Sequence, residues 1–157
     1  MIETDYKLLN SQLQALLGEE ADALAATANF VGLLYNAIDE INWLGIYVLR
    51  GDELVLGPFQ GRPACVHIAL DEGVCGAAAS TLQTQRVADV HAFPGHIVCD
   101  PDSRSELVVP LVSHGNLIGV LDIDSPVTRR FSEADQIGVE LLCESFCTLQ
   151  EARKYFI

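Results

Sequence analysis

The chain has 157 residues, half of them hydrophobic, and 22 Asp plus Glu against 9 Lys plus Arg, for a formal charge of −13. This composition supports one compact domain, residues 1–157, and excludes a disordered tail protein. The charge argues against nucleic acid and against a polybasic membrane contact, since both need Lys and Arg facing an anionic partner. Met1-Ile2-Glu3-Thr4-Asp5 lacks the apolar core of a signal peptide, and no uninterrupted apolar run reaches bilayer-spanning length. The expected setting is therefore cytoplasmic and soluble.

In chain order, Asp5 to Leu17 places Leu9, Leu13, Leu16 and Leu17 at helical spacing, with Thr4 or Asp5 to start the helix and Gly18 to stop it. A second helix is expected from Glu20 to about Asp39. Its buried stripe would be Leu24, Ala28, Val31, Leu34, Tyr35 and Ile38, with Glu19, Glu20 and Asp22 at the positive end of its dipole. From Ile41 the period falls to two, and Asn42–Leu49, a turn at Arg50-Gly51-Asp52 and Glu53–Phe59 read as a hairpin. A strand over Ala64–Leu70, a short small-residue helix after Gly73 and a brief strand over Arg86–Val90 follow.

His91 to Ser105 carries Pro94, Gly95 and Pro101 and reads as a long loop, a feature that in compact domains usually serves function. Glu106–Val112 and Leu117–Asp124 form a second hairpin around His114-Gly115-Asn116. A last helix opens on Ser132-Glu133-Ala134-Asp135, which resembles a capping box, and its apolar face would use Ile137, Leu141, Cys143, Phe146 and Leu149. The sum is an α+β sandwich with antiparallel strands. Gly73-Val74-Cys75-Gly76 has neither the Lys-Ser/Thr of a phosphate loop nor the third glycine of a dinucleotide site.

Five cysteines cannot all pair within one chain, and none forms a C-x-x-C knuckle. Cys65 falls on an expected strand, Cys75 at a helix start and Cys99 in the long loop. A helix N-terminus favours thiolate and a loop gives access, so these positions suit reactive thiols, yet Cys65 and Cys75 read equally well as small core residues. Cys143 and Cys147, four apart on the last helix, read as core. In Val120-Leu121-Asp122-Ile123-Asp124 the alternation sends both carboxylates to one face with Val120, where they would repel, share a proton or attract a cation, and Glu106 begins the neighbouring strand. Such a face is equally consistent with plain exposure to solvent. Trp43, Gly45 and Tyr47 share a face, the glycine leaving a notch suited to a small apolar or sulfur-bearing group, with an ordinary aromatic core as the alternative. His67, His91, His96 and His114 show no metal-ligand spacing and read as surface or loop residues; a zinc site of Cys65, Cys75, Cys99 and His96 is the weakest alternative.

Gly57-Pro58-Phe59-Gln60-Gly61, Ala64-Cys65-Val66, Gly73-Val74-Cys75-Gly76, Asp89-Val90-His91, Phe93–Asp100, Ser105–Pro110 and Gly119–Ser125, together with Asn42-Trp43 and Tyr47, closely resemble the free methionine-(R)-sulfoxide reductases, single GAF-domain enzymes. The ordered set with three cysteines separates this family from GAF sensors, which mostly lack them. The resemblance implies a central antiparallel sheet of about six strands, helices packed on it and an enclosed small-molecule pocket. It implies that Cys99 is the catalytic cysteine, Cys65 the principal resolving cysteine and Cys75 an additional recycling cysteine. It further implies that Glu106, Asp122 and Asp124 are pocket acids, with Asp124 as proton donor, and that Trp43 and Tyr47 line the substrate's sulfur end. His67 stands where the family pattern calls for Arg or Lys.

The activity so implied is reduction of free methionine sulfoxide through a sulfenic acid on Cys99 and a disulfide with Cys65, recycled by thioredoxin. No metal or organic cofactor is called for, since the thiol pair carries both electrons. A homodimer is compatible with the sequence. The competing reading is a GAF sensor or binding module whose cysteines are structural.

Overall fold

The computed structural model describes residues 2–19 and 22–151. Asp5 starts helix α1 (Tyr6–Leu17) by accepting from the Leu8 N–H at 3.0 Å, and Asp22 starts α2 (Ala23–Ala37) by accepting from the Ala25 N–H at 2.8 Å. Each cap satisfies an N–H that the helix itself leaves unpaired. The expected start of the second helix at Glu20 lies outside the described residues. Its buried stripe also differs from expectation: Ala26, Thr27, Phe30, Val31 and Leu34 face inward, while Leu24 is 53% exposed and Ala28 is exposed.

Six strands follow: β1 (Trp43–Arg50), β2 (Glu53–Gln60), β3 (His67–Ala69), β4 (Gln85–Val87), β5 (Ser105–Ser113) and β6 (Asn116–Ser125). They form one antiparallel sheet in the order β3-β2-β1-β6-β5-β4, so the two long hairpins meet at β1 and β6 in its centre. Helix α3 (Gly73–Thr81) joins β3 to β4, and a single 3-10 turn (Val90–Ala92) follows β4. The third strand is shorter than the expected Ala64–Leu70. The carbonyl of Cys65 is taken by the Tyr47 hydroxyl at 2.9 Å, and only from the Val66 carbonyl, bonded by the Leu56 N–H, does the segment join its neighbour.

Helix α4 (Glu133–Glu151) begins as expected. The Ser132 hydroxyl accepts from the Asp135 N–H at 3.1 Å, and the Asp135 carboxylate accepts from the Ser132 N–H at 2.8 Å. Cys143, Phe146 and Cys147 face the core with Val139 and Leu142, but Ile137 and Leu141 do not: they are 61% and 37% exposed. No helix among the described residues is long and apolar enough to cross a membrane.

Strand alternation divides the molecule into two layers. Leu44, Ile46, Val48, Leu107, Val109, Leu111, Leu121 and Ile123 point to the face covered by α1, α2 and α4, where Phe30 stacks on Phe146 at 4.2 Å between centroids. Trp43, Tyr47, Val108 and Val120 point to the other face, beneath Val74, Cys75, Ala78 and Ala79 of α3. The thick helical layer makes one side an ordinary core. The thin layer, with one short helix and the loop after the 3-10 turn, leaves room for a cavity.

Candidate active site

The cavity lies on the α3 face, with a volume of about 40 Å³, and its wall includes Trp43, Tyr47, Cys75, His96, Cys99, Glu106, Asp122 and Asp124. That space holds a few waters. Cys65 and Cys99 are joined in a disulfide, so the irregular segment before β3 and the long loop meet at its edge. A zinc site built on both thiolates is inconsistent with that bond. Cys75, Cys143 and Cys147 are free and buried.

Pairing across the sheet assembles the acids. Asp124 lies opposite Trp43 on one side and Glu106 on the other, and Asp122 lies opposite Gly45 and Val108. Directly paired residues share a face, so Glu106, Asp122 and Asp124 enter the cavity while Leu121 and Ile123 enter the helical core. Plain exposure is thereby excluded for Glu106 and Asp122, which are 5% and 6% exposed.

Burial acts first on all three carboxyls, because charge is disfavoured away from water, and repulsion from neighbouring carboxylates adds to it for Glu106 and Asp124. Asp122 rises to about 6, held down by hydrogen bonds from Glu106 and Cys75. Glu106 is pushed well above its ordinary range by burial, then by Asp122 and Asp124; Asp124 is pushed up by burial, Asp122 and Asp100, against a hydrogen bond from Ser103. Burial thus favours the protonated form of Glu106 and Asp124, and Asp122, the least raised of the three, is the member that ionises first. One oxygen of Asp122, Oδ1, is buried with no hydrogen-bond partner in the described structure.

Cys75 corrects one expectation. Although it occupies the first turn of α3, burial and then Asp122 and Glu106 hold its thiol well above the usual range, so it stays protonated. Burial, with the nearby carboxylates adding to it, outweighs the helix dipole. Among the described residues, Cys75 Sγ and one oxygen each of Glu106 and Asp122 lie within 4.8 Å of one another, a set that shares protons and has the donors to hold a cation. The N-terminal residue of α3 is flanked by Glu72, whose side chain makes no capping bond, and Glu72, Gly73, Val74 and Cys75 all border the cavity. Backbone N–H groups at that end are suited to an anion.

The notch over Gly45 is not open. The ring of Trp43 covers it, and a β-carbon there would collide with that ring and with Phe59. Trp43 instead stacks on Phe59 at 5.4 Å and on Tyr47 at 5.9 Å, and of these three rings Trp43 and Tyr47 line the cavity as an aromatic wall. Both polar ends face the segment that carries Cys65: Trp43 Nε1–H donates to the Arg62 carbonyl at 3.0 Å, and the Tyr47 hydroxyl to that of Cys65.

Sequence reasoning missed His96, Asp100 and Ser103. His96 lies in the loop, as expected, but its side chain is turned inward: it is 13% exposed and its Nε2 lies 3.9 Å from Glu106 Oε2. Burial and His91 lower its pKa, so at neutral pH the ring is uncharged and the contact is not an ion pair. Asp100 and Ser103 both accept from Asn42 Nδ2, at 3.1 and 3.3 Å, which ties the loop after Cys99 to the start of β1. Their position just beyond Cys99 was the available signal. His67 is remote from this chemistry in its contacts: it is exposed, with Nδ1 3.0 Å from Glu53 Oε1 on β2.

Comparison with known proteins agrees with this geometry. The GAF domain family matches residues 12–149. The free methionine-R-sulfoxide reductase of Escherichia coli is 47% identical over 154 residues, covering 96% of this chain and 93% of its own. The structure of fRMsr from Staphylococcus aureus in complex with substrate superimposes with a TM-score of 0.90 at 46% identity, over 95% of this chain and 97% of that one. The free methionine-R-sulfoxide reductase of Neisseria meningitidis, also bound to its substrate, gives a TM-score of 0.91 at 40% identity, over 95% and 90%.

Proposed function

Because the chain belongs to the free methionine-R-sulfoxide reductases, oxidoreductases built on the GAF domain, we propose that it reduces free L-methionine (R)-sulfoxide to methionine with its own thiols. The observation that carries this reading is the Cys65–Cys99 disulfide at a cavity holding three carboxyls, which fits the oxidised end of a catalytic cycle.

In the reduced protein the Cys99 thiolate attacks the sulfoxide sulfur. The departing oxygen needs a proton, and Asp124, kept protonated by burial and by its acidic neighbours, can supply it. The protonated oxygen passes as hydroxyl from the methionine sulfur to the Cys99 sulfur, so methionine leaves as the reduced thioether and Cys99 becomes a sulfenic acid. Cys65 condenses with it, forming the S–S bond and releasing water, and a dithiol protein such as thioredoxin restores both thiols by exchange. Cys75, buried and protonated beside Asp122, is suited to a reserve role in that recycling rather than to the first attack.

Free substrate has two charged ends, and the cavity has a partner for each. Asp122 is the carboxyl that ionises near neutrality and has an unpaired oxygen, so it supports ammonium binding with Glu106 beside it. The first turn of α3 offers N–H groups to the carboxylate. The aromatic wall takes the methyl-sulfur end, where sulfur-ring contact contributes about 0.3–1.5 kcal/mol. Thioredoxin as reductant and a reducing, cytoplasmic setting belong to the same proposal.

Mixing reduced protein with one equivalent of the free (R)-sulfoxide, in the absence of any reductant, tests it. One methionine per chain should appear as two thiols disappear. A sensor would return the sulfoxide unchanged with all its thiols intact.

A further inference from the structure

We propose that Tyr47 and Trp43 are positioning residues for the second half-reaction: their polar ends hold the Cys65 segment where its thiol can reach Cys99. The inference rests on the catalytic reading above. It concerns a different part of these side chains from the ring faces that line the cavity.

Residues 61–66 form no helix or strand, and Arg62, Pro63 and Val66 are exposed. Such a segment would wander without anchors, and the rate of an intramolecular condensation depends on how narrowly the reacting atoms are confined. The anchors seen are few and specific. Trp43 Nε1–H holds the Arg62 carbonyl at 3.0 Å, the Tyr47 hydroxyl holds the Cys65 carbonyl at 2.9 Å, and the Leu56 N–H holds the Val66 carbonyl at 2.9 Å. Gly61 lets the chain turn under Trp43, with φ +123°, where a β-carbon would press on that ring. Arg62 reaches Asp102 at 2.7 Å across to the Cys99 loop, but both side chains are more than half exposed, so that pair is weak.

The two rings sit on β1 in the centre of the sheet, stacked and 3% and 2% exposed. They are the rigid part, and the Cys65 segment is the part that needs fixing. Burial raises the Tyr47 phenol well above its ordinary pKa, so it remains a donor throughout the working pH range. The step so assisted is balanced: the Cys65 thiol sulfur bonds to the Cys99 sulfenic sulfur, the S–O bond breaks, and the oxygen leaves as water with the thiol proton. Cys65 is oxidised and the sulfenic sulfur is reduced.

Tyr47→Phe keeps the ring and removes only the donor. After single turnover with the (R)-sulfoxide, trapping with a sulfenic-acid-selective dione and counting free thiols by mass spectrometry gives the rate of disulfide closure relative to methionine release. That ratio should fall about three- to tenfold, the loss typical of one hydrogen bond, with sulfenic acid accumulating. Trp43→Phe should do the same. Tyr6→Phe removes an equally short hydroxyl contact, 2.7 Å to Asp135 on the helical face, and should leave the ratio unchanged.

The equilibrium of the Cys65–Cys99 pair with glutathione provides a readout that needs no sulfoxide, and Tyr47→Phe should move it toward the dithiol by a similar factor. An unchanged ratio together with an unchanged glutathione equilibrium in Tyr47→Phe overturns the positioning role even where methionine is released normally. Absence of methionine release in the wild type overturns the catalytic reading, and this inference with it.

Discussion

Cys99 and Cys65 lie on two separate irregular segments, the long loop and the stretch before β3, and their variants should fail differently. Cys99→Ser removes the nucleophile from a loop, so the fold should survive while methionine release drops to background. Cys65→Ser should release one methionine per chain and then stall or slow with thioredoxin, because attack survives and efficient closure does not. Equal steady-state rates in wild type and Cys65→Ser would assign resolution to Cys75 or to direct reduction. The acids separate in the same way. Asp124→Asn cannot deliver a proton and should lower the single-turnover rate at saturation by about a hundredfold, within the range general acids contribute. Glu106→Gln should act mainly on the concentration dependence of that rate, and a change confined to concentration dependence in Asp124→Asn would reassign the donor.

At the level of elements, the strands were readable because a period of two leaves little choice of face. Once Leu121 and Ile123 enter the helical core, Asp122 and Asp124 must enter the cavity. The helices were less readable. Helix α2 is apolar around most of its circumference, so Leu24 and Ala28 matched the helical spacing as well as Ala26 and Phe30 do, and only packing on the sheet selects the buried set. Three-dimensional return of the long loop brings His96 to Glu106, and rotation of the Trp43 ring fills the Gly45 notch; neither leaves a periodic trace in sequence. The contact of α1 with α4 shows how local preference yields to packing. Gly138 lies in mid-helix, where alanine would ordinarily stabilise by about 1 kcal/mol, but a β-carbon there meets the Tyr6 ring. Gly138→Ala should therefore lower stability by roughly 1–3 kcal/mol in denaturant unfolding, and a gain would show that α1 yields freely.

Across the whole molecule, the cavity acids make stability depend on pH in a direction opposite to that of an ordinary salt-bridged carboxylate. Asp122 has its pKa raised to about 6 from 3.8, so its contribution is fully present below the unfolded value and is lost as pH rises through about 6. A shift of that size corresponds to about 3 kcal/mol, and Glu106 and Asp124, raised further, extend the loss toward alkaline pH. Thermal unfolding should show a fall in Tm between pH 4 and pH 7 that is smaller in Asp122→Asn. Parallel pH profiles in the two proteins would mean that the cluster is already hydrated. This stored cost is what an ammonium group relieves on binding, and it links stability to substrate choice. Thiol-dependent reduction of the free amino acid can be followed as NADPH oxidation coupled through thioredoxin reductase and thioredoxin, with the free (R)-sulfoxide, the free (S)-sulfoxide and N-acetylated (R)-sulfoxide as substrates. Turnover of the free (R)-epimer is expected, with at least a tenfold to hundredfold loss on N-acetylation, because a charged partner of Asp122 disappears and bulk enters a small cavity. No NADPH consumption with the free (R)-epimer, or equal efficiency on the acetylated compound, would contradict it.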